Sequence, residues 1–390
     1  MEGNSCNSPT SISQLPDDCL CLIFQFLDCY EDRESFGLTC HRWLKIQNSG
    51  RVSLQFECSF TYLGISSLSQ TPISIGSFHL NRMLNRFKQL QSLSLSGCVE
   101  LSDSDLMGLQ SYGPSLQCLY LDCCFGVTDN GIGFIARGCP NLTIVGLYRC
   151  NVTDVGLHML SSACMGLRDV NLAHCSLISD NGIKAISRSC RQLRAIRISY
   201  CRNISGVGFQ GCSPTLSYLE ADSCKLESEG ILGIASGGGL EYLSLFDLNW
   251  WLTGNVLTTI GSGLVTKLKV LNLRCCRTID DDSITAIAEG CPLLQEWNLA
   301  LCHEVRLAGW KSIGLNCRNM KKLHVNRCRN LCDRGVKALR EGCRQLSVLY
   351  ISGCRQITIV SMEMFKITRG NVAIVEEEIM CIAPDWAFKL

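Results

Sequence analysis

The sequence predicts an α/β chain: a small helical unit followed by a curved solenoid, with a parallel sheet on the inner face and helices outside. Three observations predict it. A nine-residue pattern recurs eleven times, a helix-like segment with capping signals follows most copies, and an amphipathic stretch of different character precedes the first. Composition agrees. The 390 residues are 46% hydrophobic and 18% charged with eight Pro and a mean hydropathy of +0.15, which describes a folded chain and excludes disorder as the main state. Lys plus Arg number 36 against 35 Asp plus Glu, and a net charge of +1 argues against a nucleic-acid binder or a membrane-surface protein.

The chain opens on a polar stretch, Met1 to Pro9, without the basic and apolar regions of a secretory signal. No segment has 18 uninterrupted apolar residues, so the expectation is an intracellular protein, nuclear or cytoplasmic, with no membrane span. The helical unit covers residues 12–50. Pro16 suits the first position of a helix, and Asp17 with Asp18 complements the positive end of its dipole. Leu20, Ile23, Phe24 and Leu27 then share one face. After a break at residues 28–31, two short helices are expected to bury Phe36, Leu38, Trp43 and Leu44. So small a unit normally leans on a partner or a neighbouring domain.

This segment resembles the F-box, whose pattern runs L-P-x-E/D-x-L, then I-F-x-x-L, then a Leu-rich stretch ending in V/T-C-R/K-x-W. Leu15, Pro16, Asp18, Leu20, Ile23, Phe24, Leu27, Leu38, Cys40, Arg42 and Trp43 match as they stand. Arg33-Glu34 departs from it, standing where many F-boxes carry aliphatic residues. The resemblance implies binding to a Skp-family adaptor through Leu15, Pro16, Leu20, Ile23, Phe24, Leu27, Leu38, Cys40 and Trp43. The competing reading is a helical pair that only seals the first repeat.

Residues 51–89 hold a strand-like Ser53 to Cys58 and a helix-like Leu80 to Phe87, and read as a rigid junction and an atypical first repeat. From 90 to 355 the chain repeats L-x-x-L-x-L-x-x-C, beginning LQSLSLSGC (90–98) and LQCLYLDCC (116–124) and ending LSVLYISGC (346–354). Cys98 to Cys354 spans 256 residues in ten intervals, 25.6 per repeat, which marks a solenoid. Alternation at the fourth and sixth positions, as in Leu93 and Leu95, signals a short strand with one buried face. A Thr/Ser-Asp cap and an amphipathic helix follow, ending at Cys139, Cys190, Cys291 or Cys343 just before the next strand. The 28 Cys offer no paired C-x2-C for structural zinc, and seventeen of them fall at these two repeat positions. They read as small buried hydrophobes in the reduced state. The pattern resembles the cysteine-containing class of leucine-rich repeats.

Two copies depart from the pattern. The one at 240 ends in Leu248 and runs into an irregular turn carrying Trp250 and Trp251; the one at 216 has Ala221 at a core position after a truncated helix, Val207 to Cys212. Residues 356–390 read as a cap and a tail, with Trp386 and Phe388 expected to fold back onto the last repeat or the concave rim.

Alternation turns the other strand positions onto the concave face, where the expected contacts are Tyr120, Tyr148, Arg197, Tyr218, Tyr242, Phe246, Arg274, Lys322, His324 and Tyr350. Aromatic and Arg side chains are favoured at interfaces. An F-box joined to such repeats implies the substrate-recognition subunit of an SCF-type cullin-RING ubiquitin ligase, holding an unknown protein substrate for ubiquitination and degradation. No catalytic residue, metal or cofactor is expected. The adjacent pairs Cys40-His41, His174-Cys175 and Cys302-His303 would point to opposite faces of a strand. Alternatives are a ubiquitin-independent scaffold and a small-molecule sensor with Arg149, Arg197, Arg274, Lys322 and Arg327 gathered round an anion.

Overall fold

The computed structural model describes residues 12–56, 76–248 and 254–383. The helical unit is α1 (Asp17–Gln25), α2 (Tyr30–Thr39) and α3 (His41–Gly50). The shared face of α1 brings Leu20 and Phe24 against Phe36 of α2 and Ile46 of α3, all buried. Phe36 meets Phe24 at 5.3 Å between ring centroids and stacks on Trp43 at 4.4 Å. Leu38, expected inside, is 84% exposed, because α2 turns it away from the face that carries Phe36. The departing pair Arg33-Glu34 is half-buried and ties neighbouring segments together: Arg33 Nε donates to the Leu27 carbonyl, and Glu34 pairs with Arg51. Arg51 also lies over the Phe87 ring at 5.3 Å and Arg86 donates to Asn48 at 2.7 Å, which fastens the unit to the first repeat.

Each copy of the repeat supplies a three-residue strand. The strands are β1 (Ser53–Gln55), β2 (Ser92–Ser94), β3 (Cys118–Tyr120), β4 (Ile144–Gly146), β5 (Asp169–Asn171), β6 (Ala195–Arg197), β7 (Tyr218–Glu220), β8 (Tyr242–Ser244), β9 (Val270–Asn272), β10 (Glu296–Asn298), β11 (Lys322–His324), β12 (Val348–Tyr350) and β13 (Ala373–Val375). They form one parallel sheet in chain order. Register is uniform: the fourth residue of each copy pairs with the fourth of the next, as Leu93 with Leu119 and Leu271 with Trp297. A slip of one residue would turn that buried row to solvent, so the pattern itself holds the register.

The turn after each strand is built alike. The eighth residue of the copy has a positive φ in Gly97, Cys123, Arg149, His174, Tyr200, Ser223, Asp247, Cys275, Leu301, Arg327 and Gly353. Only two of these are Gly, so nine side chains sit in a region that disfavours them. The gain is a directed N–H. Cys123 donates to the Tyr148 carbonyl at 2.7 Å, His174 to Ser199 at 2.8 Å and Arg327 to Ser352 at 2.7 Å, which carries the ladder beyond the strands. The ninth residue, Cys, donates its thiol back to the preceding repeat: Cys150 Sγ to the Leu121 carbonyl at 3.1 Å, Cys201 to Leu172 at 3.1 Å, Cys302 to Leu273 at 3.1 Å. Burial pushes the Cys201 thiol up to about 12, so it stays protonated and able to donate. Among the described residues no cysteine is in a disulfide.

The outer layer holds α4 (Ser77–Arg86), α5 (Leu109–Tyr112), α6 (Asp129–Gly138), α7 (Asp154–Ala163), α8 (Asp180–Ser189), α9 (Ser228–Ser236), α10 (Asp281–Gly290), α11 (Leu307–Asn316), α12 (Asp333–Gly342) and α13 (Ile359–Thr368). Thr128, Thr153 and Ser179 cap their helices as expected. They also donate sideways to the first-turn Asp of the preceding repeat, Thr153 to Asp129 and Ser179 to Asp154, each through an N–H at 2.8 Å and a hydroxyl at 2.5 Å. The truncated helix is a short 3-10 turn, Val207–Phe209. Gly206 there lies against Gly230, where an added Cβ on Gly230 would come within 1.8 Å of the Ser205 carbonyl. Leu248, in place of Cys, is buried in the same row. Cys58, Trp250, Trp251, Trp386 and Phe388 lie outside the described residues. Among those described, no helix is long and apolar enough to cross a membrane.

Candidate functional site

Two surfaces stand out, one at each end of the chain. On the helical unit, the residues matched to the adaptor-binding pattern divide. Leu20 and Phe24 are buried and Leu15, Ile23, Leu27 and Trp43 are partly buried against them, so these hold the unit's own fold. Pro16 and Cys40 are exposed, and so is Leu38. Sequence reasoning missed Leu22 on α1, 54% exposed, and Phe26 at its C-cap, 82% exposed, four residues apart and away from the buried face. The signal was available: if Leu20, Ile23, Phe24 and Leu27 form the inner face of α1, then apolar residues at 22 and 26 must point out. Apolar side chains exposed together mark an interaction surface.

The concave face of the sheet is divided by the chain's own C-terminal segment. After β13 the chain crosses back over the sheet, and residues 376–382 lie above β6 to β11. Ile382 and Ile379 pack on Ala195, Tyr218, Tyr242 and Val270, with the two tyrosine rings stacked at 4.2 Å. Glu378 pairs with Arg274 at 3.2 Å and with Arg327 at 2.5 Å. Asn298 Nδ2 donates to the Ile379 carbonyl at 3.4 Å, and Asn326 Nδ2 to that of Glu377 at 3.3 Å. Tyr218, Tyr242 and Arg274, expected on an open surface, are therefore buried in this structure, and His324, also expected there, is buried beside Glu296 and Tyr350. Alternation puts their side chains on the concave side, but the returning segment covers that side.

His324 also bonds Glu296 through Nε2 at 2.9 Å and stacks on Tyr350 at 4.1 Å, while exposed Lys322 reaches Glu296 at 3.4 Å. Phe246 is half-buried with the Arg274 guanidinium 5.4 Å from its ring centroid. Burial pushes Asp222 up to about 6, against hydrogen bonds from Ser244 and the Phe246 N–H that favour its charge.

Over β2 to β5 no described segment covers the face. Tyr120 is half-buried there. Arg197 pairs with Asp169 at 2.6 Å and lies over the Tyr218 ring at 4.9 Å. Tyr148 is nearly buried and begins a rim ladder: its ring meets His174 edge-on at 5.2 Å, and His174 stacks on Tyr200 at 4.3 Å. Arg149 lies over Tyr148 at 5.3 Å. His174 and Tyr200 were also missed by sequence reasoning. They occupy the left-handed eighth position, and their alignment follows from the repeat register.

Of the five basic residues considered as an anion site, four are engaged by carboxylates within the chain: Arg197 by Asp169 and Glu220, Arg274 and Arg327 by Glu378, and Lys322 by Glu296, while Arg149 lies over the Tyr148 ring. Among the described residues no group of three His, Cys, Asp or Glu side chains is placed to hold a metal ion.

Comparison with known proteins bears on both surfaces. The family model of the F-box domain matches residues 12–52, and that of the Leucine Rich repeat matches 163–187 and 266–288. A rice protein, Coronatine-insensitive protein homolog 1a of Oryza sativa subsp. indica, is 25% identical over 189 residues, covering 38% of this chain and 29% of that one. Among solved structures, that of a TLR13–ssRNA13 complex overlays 69% of this chain on 40% of its own at a TM-score of 0.50 and 20% identity, a likeness of fold alone. F-box/LRR-repeat protein 12 of Arabidopsis thaliana is 57% identical over 380 residues, 97% of this chain and 96% of its own. An alignment running nearly end to end at that identity, through the helical unit and the repeats alike, makes this chain a member of the plant F-box/LRR-repeat family.

Proposed function

We propose that the chain is the substrate-recognition subunit of an SCF-type cullin-RING ubiquitin ligase. F-box domains generally bind Skp1-type adaptors, and the observation that carries the proposal is the apolar surface of Leu22, Phe26 and Leu38 left open on the F-box of this chain. The solenoid holds a protein substrate on its concave face. The chain makes and breaks no bonds; its contribution is proximity, raising the effective concentration of substrate lysines near the charged ubiquitin-conjugating enzyme. Ubiquitinated substrate then passes to the proteasome. The free thiols of the solenoid fit a nuclear or cytoplasmic location.

The test is reconstitution of the full chain with purified Skp adaptor and cullin. A stoichiometric complex on gel filtration supports the receptor. A chain that stays monomeric and folded beside the adaptor overturns it in favour of a ubiquitin-independent scaffold.

A further inference from the structure

Residues 376–382 sit on the sheet without joining it as a strand. Their main chain is read by two buried side-chain amides, Asn326 on the Glu377 carbonyl and Asn298 on the Ile379 carbonyl. These carbonyls belong to alternate residues, which in an extended chain point the same way. Donors of this kind hold any extended segment, whatever its side chains. Between the two, the Glu378 carboxylate is gripped by Arg274 and Arg327, and Ile379 and Ile382 rest on the shelf made by Tyr218 and Tyr242. Main-chain donors, a charge clamp and an apolar shelf together are the parts of a peptide-binding groove. The segment filling it keeps one edge open: Met380 is 59% exposed and Cys381 faces solvent, while Ile382 is buried.

We propose that this groove is where substrate binds, as an extended peptide carrying a carboxylate followed by aliphatic side chains one and four residues later. Residues 376–382 are its occupant in cis, and substrate displaces them. The inference rests on the receptor reading, which is what calls for a substrate. A segment tethered through β13 competes at an effective concentration in the millimolar range, so it weakens an incoming peptide without excluding it.

The experiment uses the full chain and a fluorescent peptide of residues 375–383 carrying Cys381→Ser, followed by polarisation. Glu378→Lys with Ile382→Asp in the protein removes the charge pairing and the shelf contact of the cis segment. The peptide is expected to bind this variant at least tenfold more tightly than wild type, and a peptide that itself carries Glu378→Lys is expected to lose that binding. Equal binding to both proteins, with the variant melting cooperatively, overturns the proposal. If the variant does not fold, limited proteolysis of the wild-type chain with a glutamate-specific protease decides. Millimolar peptide should speed cleavage of the chain after Glu376, Glu377 or Glu378 while the solenoid stays intact, and an unchanged cleavage rate overturns the proposal. Adaptor binding is untouched in every arm, so failure here leaves the receptor reading standing, and loss of adaptor binding would not alter peptide affinity.

Discussion

The F-box and the solenoid place their apolar side chains in opposite ways. In the solenoid the fourth and sixth residues of successive copies, Leu93 and Leu95 or Leu271 and Leu273, are buried, because each repeat covers the face that its neighbour cannot cover alone. The F-box has no such neighbour on its outer side. It seals Leu20, Phe24, Phe36 and Ile46 in a core of its own and leaves Leu22, Phe26 and Leu38 in water. A unit this small has more apolar surface than it can bury, and under the receptor reading proposed above the excess is what an adaptor would cover. The same residue types thus hold the fold in one region and stand exposed to solvent in the other.

That contrast can be broken at its strongest point. Trp297 is fully buried in the row of fourth residues, and Trp297→Ala should cost about 4 kcal/mol. Thermal melts should show the loss, while adaptor affinity stays unchanged because the F-box is distant. Asp222 gives a pH-dependent effect confined to the solenoid. Burial raises its folded-state pKa to about 6, above the value of the unfolded chain. The stability it contributes is therefore fully present below about pH 4 and is lost as pH rises through 6, by up to about 3 kcal/mol. Relative to wild type, Asp222→Asn should become steadily more stable from pH 4 to pH 7, and melts at three pH values measure this. The smallest effect sharpens the comparison most, since it uses one residue type in both regions. Cys201→Ala removes a buried thiol bonded to the Leu172 carbonyl at 3.1 Å and should cost about 1 kcal/mol. Cys40→Ala, on the exposed F-box surface, should move the melting temperature very little.

The solenoid was legible because each repeat states the same rule: alternation gave the strands, Thr or Ser with Asp gave the caps, and the recurring Cys gave the period. What that Cys bonds to was not legible, since its acceptor lies one repeat earlier in the chain. The face covered by residues 376–382 was hidden for a related reason. Glu376-Glu377-Glu378-Ile379 has no periodicity, and Asn298 and Asn326 become a pair only once β10 and β11 lie side by side. In the F-box, a motif match does not distinguish residues that hold the fold from residues that face outward. Leu20 and Phe24 match and are core, while Leu22 and Phe26 fall between the motif positions and are exposed.

The most direct test of the receptor reading is titration calorimetry of the full chain with purified Skp adaptor, wild type against Phe26→Asp with Leu38→Asp. Both side chains are more than four-fifths exposed, so the double variant should keep the wild-type melting temperature and lose at least a hundredfold in adaptor affinity. Wild-type affinity in the folded double variant would contradict the assignment of this face to the adaptor.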